Sequence, residues 1–353
     1  MNRREYFDFV NIAKLILAVA IVAVHCALVS DDSPLMLLLC RLGVPYFFIA
    51  SGFFLNNKCA DGNCESAVNR YIKRLMLPYA VFSAVWIAQM LIDDAIGGFG
   101  MKESAISLIQ HILFFPRGAL WYVWASILGV LMLYPFMKRG KLIRALPLGV
   151  ALFAVGLLAN NYYFIADSSR WLKPAVDAYL RIFLVSNNAP FVAFVFLLLG
   201  MLMAEYYDKL IRAIRTIPTI LILTVSVSLL IMESSFIRSK AVSVGDGAFY
   251  LSQLIYVPTV FFLTTRIKCP HISASIVIGS KNLSTGIYFL HVPILWIIHR
   301  AAKYMLPHLP GLNRMAPLFD HPSVCFVCCM ILCTAICLLA YRHPKSFICR
   351  ILK

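Results

Sequence analysis

Three ionisable side chains stand where unbroken hydrocarbon would be expected: Lys14 and His25 in "NIAKLILAVAIVAVH" (residues 11–25), and Arg41 in the apolar stretch that follows. A titratable group at membrane depth is costly and marks a functional site by default. On an α-helix the eleven residues from Lys14 to His25 make three turns plus about 20°, so both share one face, about 16 Å apart. Asn11 projects about 40° from His25, giving a polar stripe of Asn11, Lys14 and His25 along an oily helix. Such a stripe must face protein or water. Each residue also has a plainer reading: Lys14 can snorkel to the headgroups, and His25 can be a packing histidine hydrogen-bonded across helices.

The elements that must position these residues follow from composition. With 61% hydrophobic and 14% charged residues over 353 positions, the chain does not describe a soluble domain. Its 32 basic against 16 acidic side chains fall in short clusters between apolar runs, with no aromatic-interleaved basic segment, so membrane topology explains them better than nucleic acid does. Apolar stretches predict an all-α polytopic membrane protein of about ten transmembrane helices, near 9–29, 35–55, 76–96, 119–137, 144–161, 188–205, 215–232, 249–266, 284–304 and 323–341. The first run is too long for a signal-peptide core and stays as a helix. With the N-terminus inside, the inner connections carry twenty Lys and Arg and the outer ones ten, which predicts both termini cytoplasmic, in the plasma membrane. One membrane domain is expected over 1–353, its bundle over about 9–341, with no separate soluble domain. The longest connection, near 162–187, holds a candidate interfacial helix, "RWLKPAVDAYLRIF".

Cysteines number eleven, yet they do not spell a metal or disulfide framework. Cys325, Cys328, Cys329, Cys333 and Cys337 recur every three or four residues in the last span, where small polarizable side chains pack helix against helix. Cys59 and Cys64 in "KCADGNCE" lie in an expected cytoplasmic loop and read as reduced thiols. A zinc site wants a second ligand pair at metal spacing, and none is evident, so no metal is expected.

Five segments in order carry a resemblance. "NIAKLILAVAIVAVH" resembles the opening motif of the acyltransferase type 3 family of integral-membrane O-acyltransferases, a basic residue followed by histidine. "VPYFFIASGFF" (44–54) is similar to that family's second-helix signature, and "RYIKRLMLPY" (70–79) to its basic inner loop. "LWYVWA" (120–125) resembles its fourth-helix start, and "STGIYFLHVPIL" (284–295) its Ser and Tyr-x-x-His segment. Two departures stand out. Lys14 replaces the more common Arg, keeping the charge but losing the bidentate fork, and Asn11 occupies a place often held by Asp.

The resemblance implies transfer of an acyl group, usually acetyl from acetyl-CoA, to a hydroxyl of a cell-envelope or exported glycan. His25 then serves as general base or as transient acyl carrier. Lys14 and Arg41 join it as catalytic candidates. Arg41 suits an oxyanion or the acceptor, or structurally a carboxylate such as Asp93 or Asp94. Arg70, Lys73 and Arg74 present cations at i, i+3 and i+4 for the donor's phosphates, if the third helix begins early; alternatively they are a positive-inside anchor. Tyr288 and His291, expected nearer the inner side, form a second group that could position the donor, with packing as the alternative. Trp121 could stack on a sugar or belong to an interfacial belt. Ser51, taken as a substrate contact, could instead join Gly52 in letting helices approach. The partners implied are acyl-CoA, a hydroxyl acceptor and the bilayer. Two rivals remain: a transporter, and a small-molecule module resembling the membrane domain attached to vancomycin-resistance serine racemases, which shares the fold. These 353 residues hold no racemase domain.

Overall fold

Lipid offers backbone N–H and C=O groups no partners, so long apolar runs can only satisfy them internally as helices. The computed structural model describes residues 7–97, 105, 108–110, 116, 118–240, 244, 247–268, 272–308, 317–319 and 321–352, and among these the regular structure is helical throughout. Six helices are long and apolar enough to cross a membrane: Asp8–His25, Met36–Ala60, Cys64–Gly97, Leu120–Lys138, Ile217–Ser239 and Pro322–Arg342. Ala189–Glu205 with Tyr207–Ala213 makes a seventh if that pair, bent by 75°, is one span.

The described residues therefore do not reach the ten spans expected, for local reasons. Leu142–Leu157 is too short, about 24 Å of helix against a core of about 30 Å. The expected span at 249–266 is regular only over Gln253–Arg266, because the chain enters it through an irregular segment with Gly247 at φ 58°. Asn161 fastens that segment, donating from Nδ2 to the carbonyls of Gly247 (3.1 Å) and Phe249 (2.7 Å). Ala274–Arg300 is long enough, but Lys281, Asn282, Thr285, His291 and His299 dilute its apolar character. Of the charges counted for orientation, Arg3, Arg4, Lys102, Arg117, Arg314 and Lys353 lie outside the described residues.

Two compact units emerge. The first gathers Met1–Gly43, Ala80–Gly100 and Ile267–Lys353. In it α1 (Asp8–His25) packs along the long helix Ala274–Arg300, which also packs on Pro322–Arg342. Cys325, Cys329, Cys333 and Cys337 form a buried stripe on the last of these, as their spacing predicts. A Cβ on Gly286 would collide with the Cys337 sulfur, so glycine sets that approach. Helix α1 stops at His25, short of the expected residue 29. Ala27 turns left-handed at φ 53°, with Leu28 N–H on the Ala23 carbonyl (2.9 Å) and Ala27 N–H on Val24 (3.0 Å). This is a Schellman ending with alanine where glycine is usual.

The second unit comprises Val44–Tyr79 and Met101–Arg266. Here α2 (Gly43–Ala60) crosses the helix Phe194–Glu205 at backbone contact: a Cβ on Gly52 would strike the Leu197 carbonyl, and one on Gly200 the Ile49 carbonyl. The two glycines face each other's backbones across the crossing. Glu233, a carboxylate within the apolar run 217–239, accepts from Tyr162 Oη (2.6 Å) and from the N–H groups of Leu251 (2.5 Å) and Ser252 (2.8 Å). It thereby satisfies donors at the start of Gln253–Arg266. Cys59 and Cys64 meet across the turn after α2, sulfurs 2.7 Å apart.

Two outcomes follow for the purified protein in detergent. Gly52→Ala or Gly200→Ala should lose about 1–3 kcal/mol of stability by overpacking, seen as a lower thermal midpoint and less monodisperse protein. Ala27→Gly should gain about 1 kcal/mol by relieving the left-handed alanine, seen as a higher midpoint.

Candidate active site

Helix α1 turns the Asn11–Lys14 part of its polar stripe inward. Val10, Ala18 and Ile21 project within about 60° of Lys14 and are buried, whereas Ile16 on the opposite side is 47% exposed. Lys14 and Asn11 are half-buried, and His25, as the last helical residue, is exposed at the helix end.

At that end His25 meets His291. The two imidazoles lie with ring centroids 5.1 Å apart, tilted by 44°. His291 is fully buried in the middle of the helix Ala274–Arg300, α12 in chain order. Its Nδ1 lies 3.1 Å from the Ile287 carbonyl, four residues back. A carbonyl can pair only with an N–H, so Nδ1 is the donor in that contact. The Nε2 of the same ring is buried and makes no hydrogen bond. Tyr288, also buried, flanks the same ring at 5.9 Å. Sequence reading treats Tyr288 and His291 as a second group apart from His25; the structure brings His291 into one histidine pair with it.

Arg41 follows a π-helical turn, Met36–Cys40, and its guanidinium, 16% exposed, lies 3.7 Å from Asp31, which is 86% exposed. The acidic partners expected for it are placed differently. Asp93 forms an ion pair with Arg300 and accepts from Trp296 Nε1 at 3.0 and 3.1 Å. Trp296 and Arg300 are one turn apart on α12, and the guanidinium lies 5.8 Å from the indole centroid. Asp94 keeps a buried Oδ2 that makes no hydrogen bond. Spacing could not show this network, because its members are some two hundred residues apart.

The remaining candidates belong to the second unit. The helix Cys64–Gly97, α3, does begin early, so Arg70, Lys73 and Arg74 are helical neighbours, all exposed. Ser51 lies 3.0 Å from the Tyr122 hydroxyl, which donates to the Phe47 carbonyl at 3.3 Å. Gly52, not Ser51, makes the close helix approach. Trp121 is half-buried between Phe48 and Phe249, at 6.1 and 6.4 Å. Tyr71 and Ser126, which sequence reading passes over, stand beside Ser51 and Tyr122. Their signal was present but faint: Ser126 falls one turn after Tyr122, and Tyr71 lies between two cations. Among the described residues no group of three His, Cys, Asp or Glu could hold a metal ion.

A family model described as an acyltransferase domain matches residues 7–342. The chain belongs to this acyltransferase family. Among curated proteins it is similar to an amino-acid racemase of Enterococcus faecalis, 27% identical over 57% of this chain and 28% of that protein. It is also similar to a serine/alanine racemase of Enterococcus gallinarum, 24% identical over 70% of this chain and 35% of that protein. The chain thus spans about a third of the length of these relatives. No solved structure matches it significantly.

In the histidine pair one ring stands exposed at a helix end, and the other is buried and held by its own helix backbone. The Asp93 network ties α3 to α12. Asp93→Asn should therefore cost about 1.5–3 kcal/mol, the scale of hydrogen bonds to a charged group, whereas Asp31→Asn should change stability by about 0–1 kcal/mol, as exposed pairs do. Thermal unfolding of both purified variants checks the contrast.

Proposed function

We propose that this chain moves an acyl group, acetyl from acetyl-CoA in the simplest case, to a hydroxyl of a cell-envelope or exported glycan. The observation that carries the reading is the His25–His291 pair within a chain of the acyltransferase family. A sugar hydroxyl is a poor nucleophile at neutral pH. His25 takes its proton as the oxygen attacks the thioester carbon, the new C–O bond forms, the C–S bond breaks, and the coenzyme leaves as a thiolate that the imidazolium reprotonates. The same imidazole could first accept the acyl group itself. His291 acts as a positioning residue, its ring packed against that of His25. Lys14 contributes fixed positive charge on the same helix face, and Arg41 holds the acceptor or the oxyanion. Arg70, Lys73 and Arg74 are assigned to the phosphates of the donor on the cytoplasmic side, and Trp121 and Ser51 to substrate contacts.

The racemase relatives favour a second reading, a membrane module that binds or moves an amino acid without acyl transfer. One experiment separates the two. Purified protein with labelled acetyl-CoA and envelope glycans should yield labelled ester, and His25→Ala should lower the rate by about 10²–10⁴-fold at unchanged yield of folded protein. Full transfer by the alanine variant removes His25 from the chemistry. Saturable amino-acid binding with no ester formed establishes the second reading.

A further inference from the structure

We propose that Cys59 and Cys64, at the turn between α2 and α3, form a thiol redox site: a dithiol that a low-molecular-weight disulfide converts reversibly into an internal disulfide bond. The site is separate from the acyl-transfer chemistry above and does not rest on it.

Local sequence places the two thiols. At the end of α2 the Asp61 N–H donates to the Asn57 carbonyl at 3.1 Å, and the Gly62 N–H turns back to the Cys59 carbonyl at 3.4 Å. Asn63 then caps α3, its Oδ1 accepting from the Ser66 N–H at 3.2 Å. Turn and cap bring the end of one helix onto the first residue of the next. The Cys64 S–H faces the Cys59 sulfur, 2.7 Å away, and Cys59 Sγ lies 3.8 Å from the Cys64 carbonyl.

Other cysteines show why this pair differs. Cys329 and Cys333 have sulfurs 3.9 Å apart, but they stand one turn apart on a single helix and are fully buried. That spacing holds Cβ atoms about 5–6 Å apart, beyond the roughly 3.5–4.5 Å a disulfide requires. Those thiols pack. Cys59 and Cys64 sit on two helices joined by a turn, so no single helical repeat keeps them apart. Both are half-buried, residues 60–63 between them are exposed, and a Cβ added at Gly62 would meet nothing within 4 Å. The turn therefore leaves room for a small reagent. It also lies on the side expected to be cytoplasmic, where disulfides are transient and redox-sensing rather than structural, and an accessible thiol beside a second, resolving thiol is the usual form of such a sensor.

The chemistry is thiol–disulfide exchange. One protein thiolate attacks the low-molecular-weight disulfide, whose sulfur–sulfur bond breaks as one small thiolate leaves. The second protein thiolate then attacks the protein sulfur of the mixed disulfide, forming the Cys59–Cys64 bond and expelling the other small thiolate. The two protein thiols lose two electrons and two protons, and the reagent gains both as two small thiols.

Full-length protein in detergent tests it. The protein is incubated with glutathione disulfide, its remaining thiols are alkylated with N-ethylmaleimide, and it is digested with trypsin for mass spectrometry. Cleavage after Lys58 and Arg70 leaves both residues in one peptide, CADGNCESAVNR, free of every other cysteine. After oxidation this peptide should carry no maleimide and be two hydrogens lighter than the dithiol, and dithiothreitol should restore two maleimide additions. Of the variants Cys59→Ser and Cys64→Ser, the one that keeps the attacking thiol should retain one glutathione, since no second thiol expels it. The proposal is overturned if the wild-type peptide still takes two maleimides, if it retains glutathione as that variant does, or if its disulfide joins two protein molecules. A bridge that resists dithiothreitol in the folded protein is structural and overturns it as well.

Discussion

A polar group removed from water must find its partner inside the protein, and in this chain that requirement organises nearly every helix contact. Glu233 is held by Tyr162 and by backbone donors at a helix start. Asp93 is held by Arg300 and Trp296. Tyr46 and Thr264 share a hydrogen bond of 2.7 Å between α2 and the helix Gln253–Arg266. Such pairs fix helix rotation, since turning any one helix would strand a charge or hydroxyl in an apolar surround. Against that background His291 Nε2, beside His25, is one of a few buried atoms among the described residues that make no hydrogen bond, Asp94 Oδ2 being another.

Helix association without a hydrophobic driving force depends on close approach. Glycine supplies it at Gly52 and Gly200, where backbones meet, and at Gly286 against Cys337. The cysteine stripe of Pro322–Arg342 gives the same benefit with slightly larger side chains. In the second unit the Gly52 and Gly200 contacts hold the helix that carries Ser51, and in the first unit the Gly286–Cys337 contact holds α12, which carries His291, against Pro322–Arg342. Packing and site are thus one construction: the small residues bring helices near enough for the polar ones to meet.

Much of this was legible in the chain. Lys14 lies on a packed side of α1, and the order of five short segments pointed to the acyltransferase family that the chain belongs to. The positions of most apolar helices followed from hydropathy. Other features were not readable. The end of α1 is set by a left-handed alanine, and nothing in alanine signals that conformation. The short helices at 142–157 and 253–266 look like full spans by composition, because hydropathy records apolar content and not where the backbone leaves the helix.

The sequence by itself determined that the chain is helical and built for lipid, that α1 carries a polar stripe, and that cations recur at helical spacing on α3. Each is a local property, fixed by residue type and the helical repeat. Tertiary structure alone decided the partners: His291 for His25, Asp31 for Arg41, Arg300 and Trp296 for Asp93, Tyr71 and Ser126 for the Ser51–Tyr122 pair. Partner choice depends on how helices distant in sequence rotate and pack, and that is settled by summed burial and hydrogen-bond satisfaction over many contacts at once.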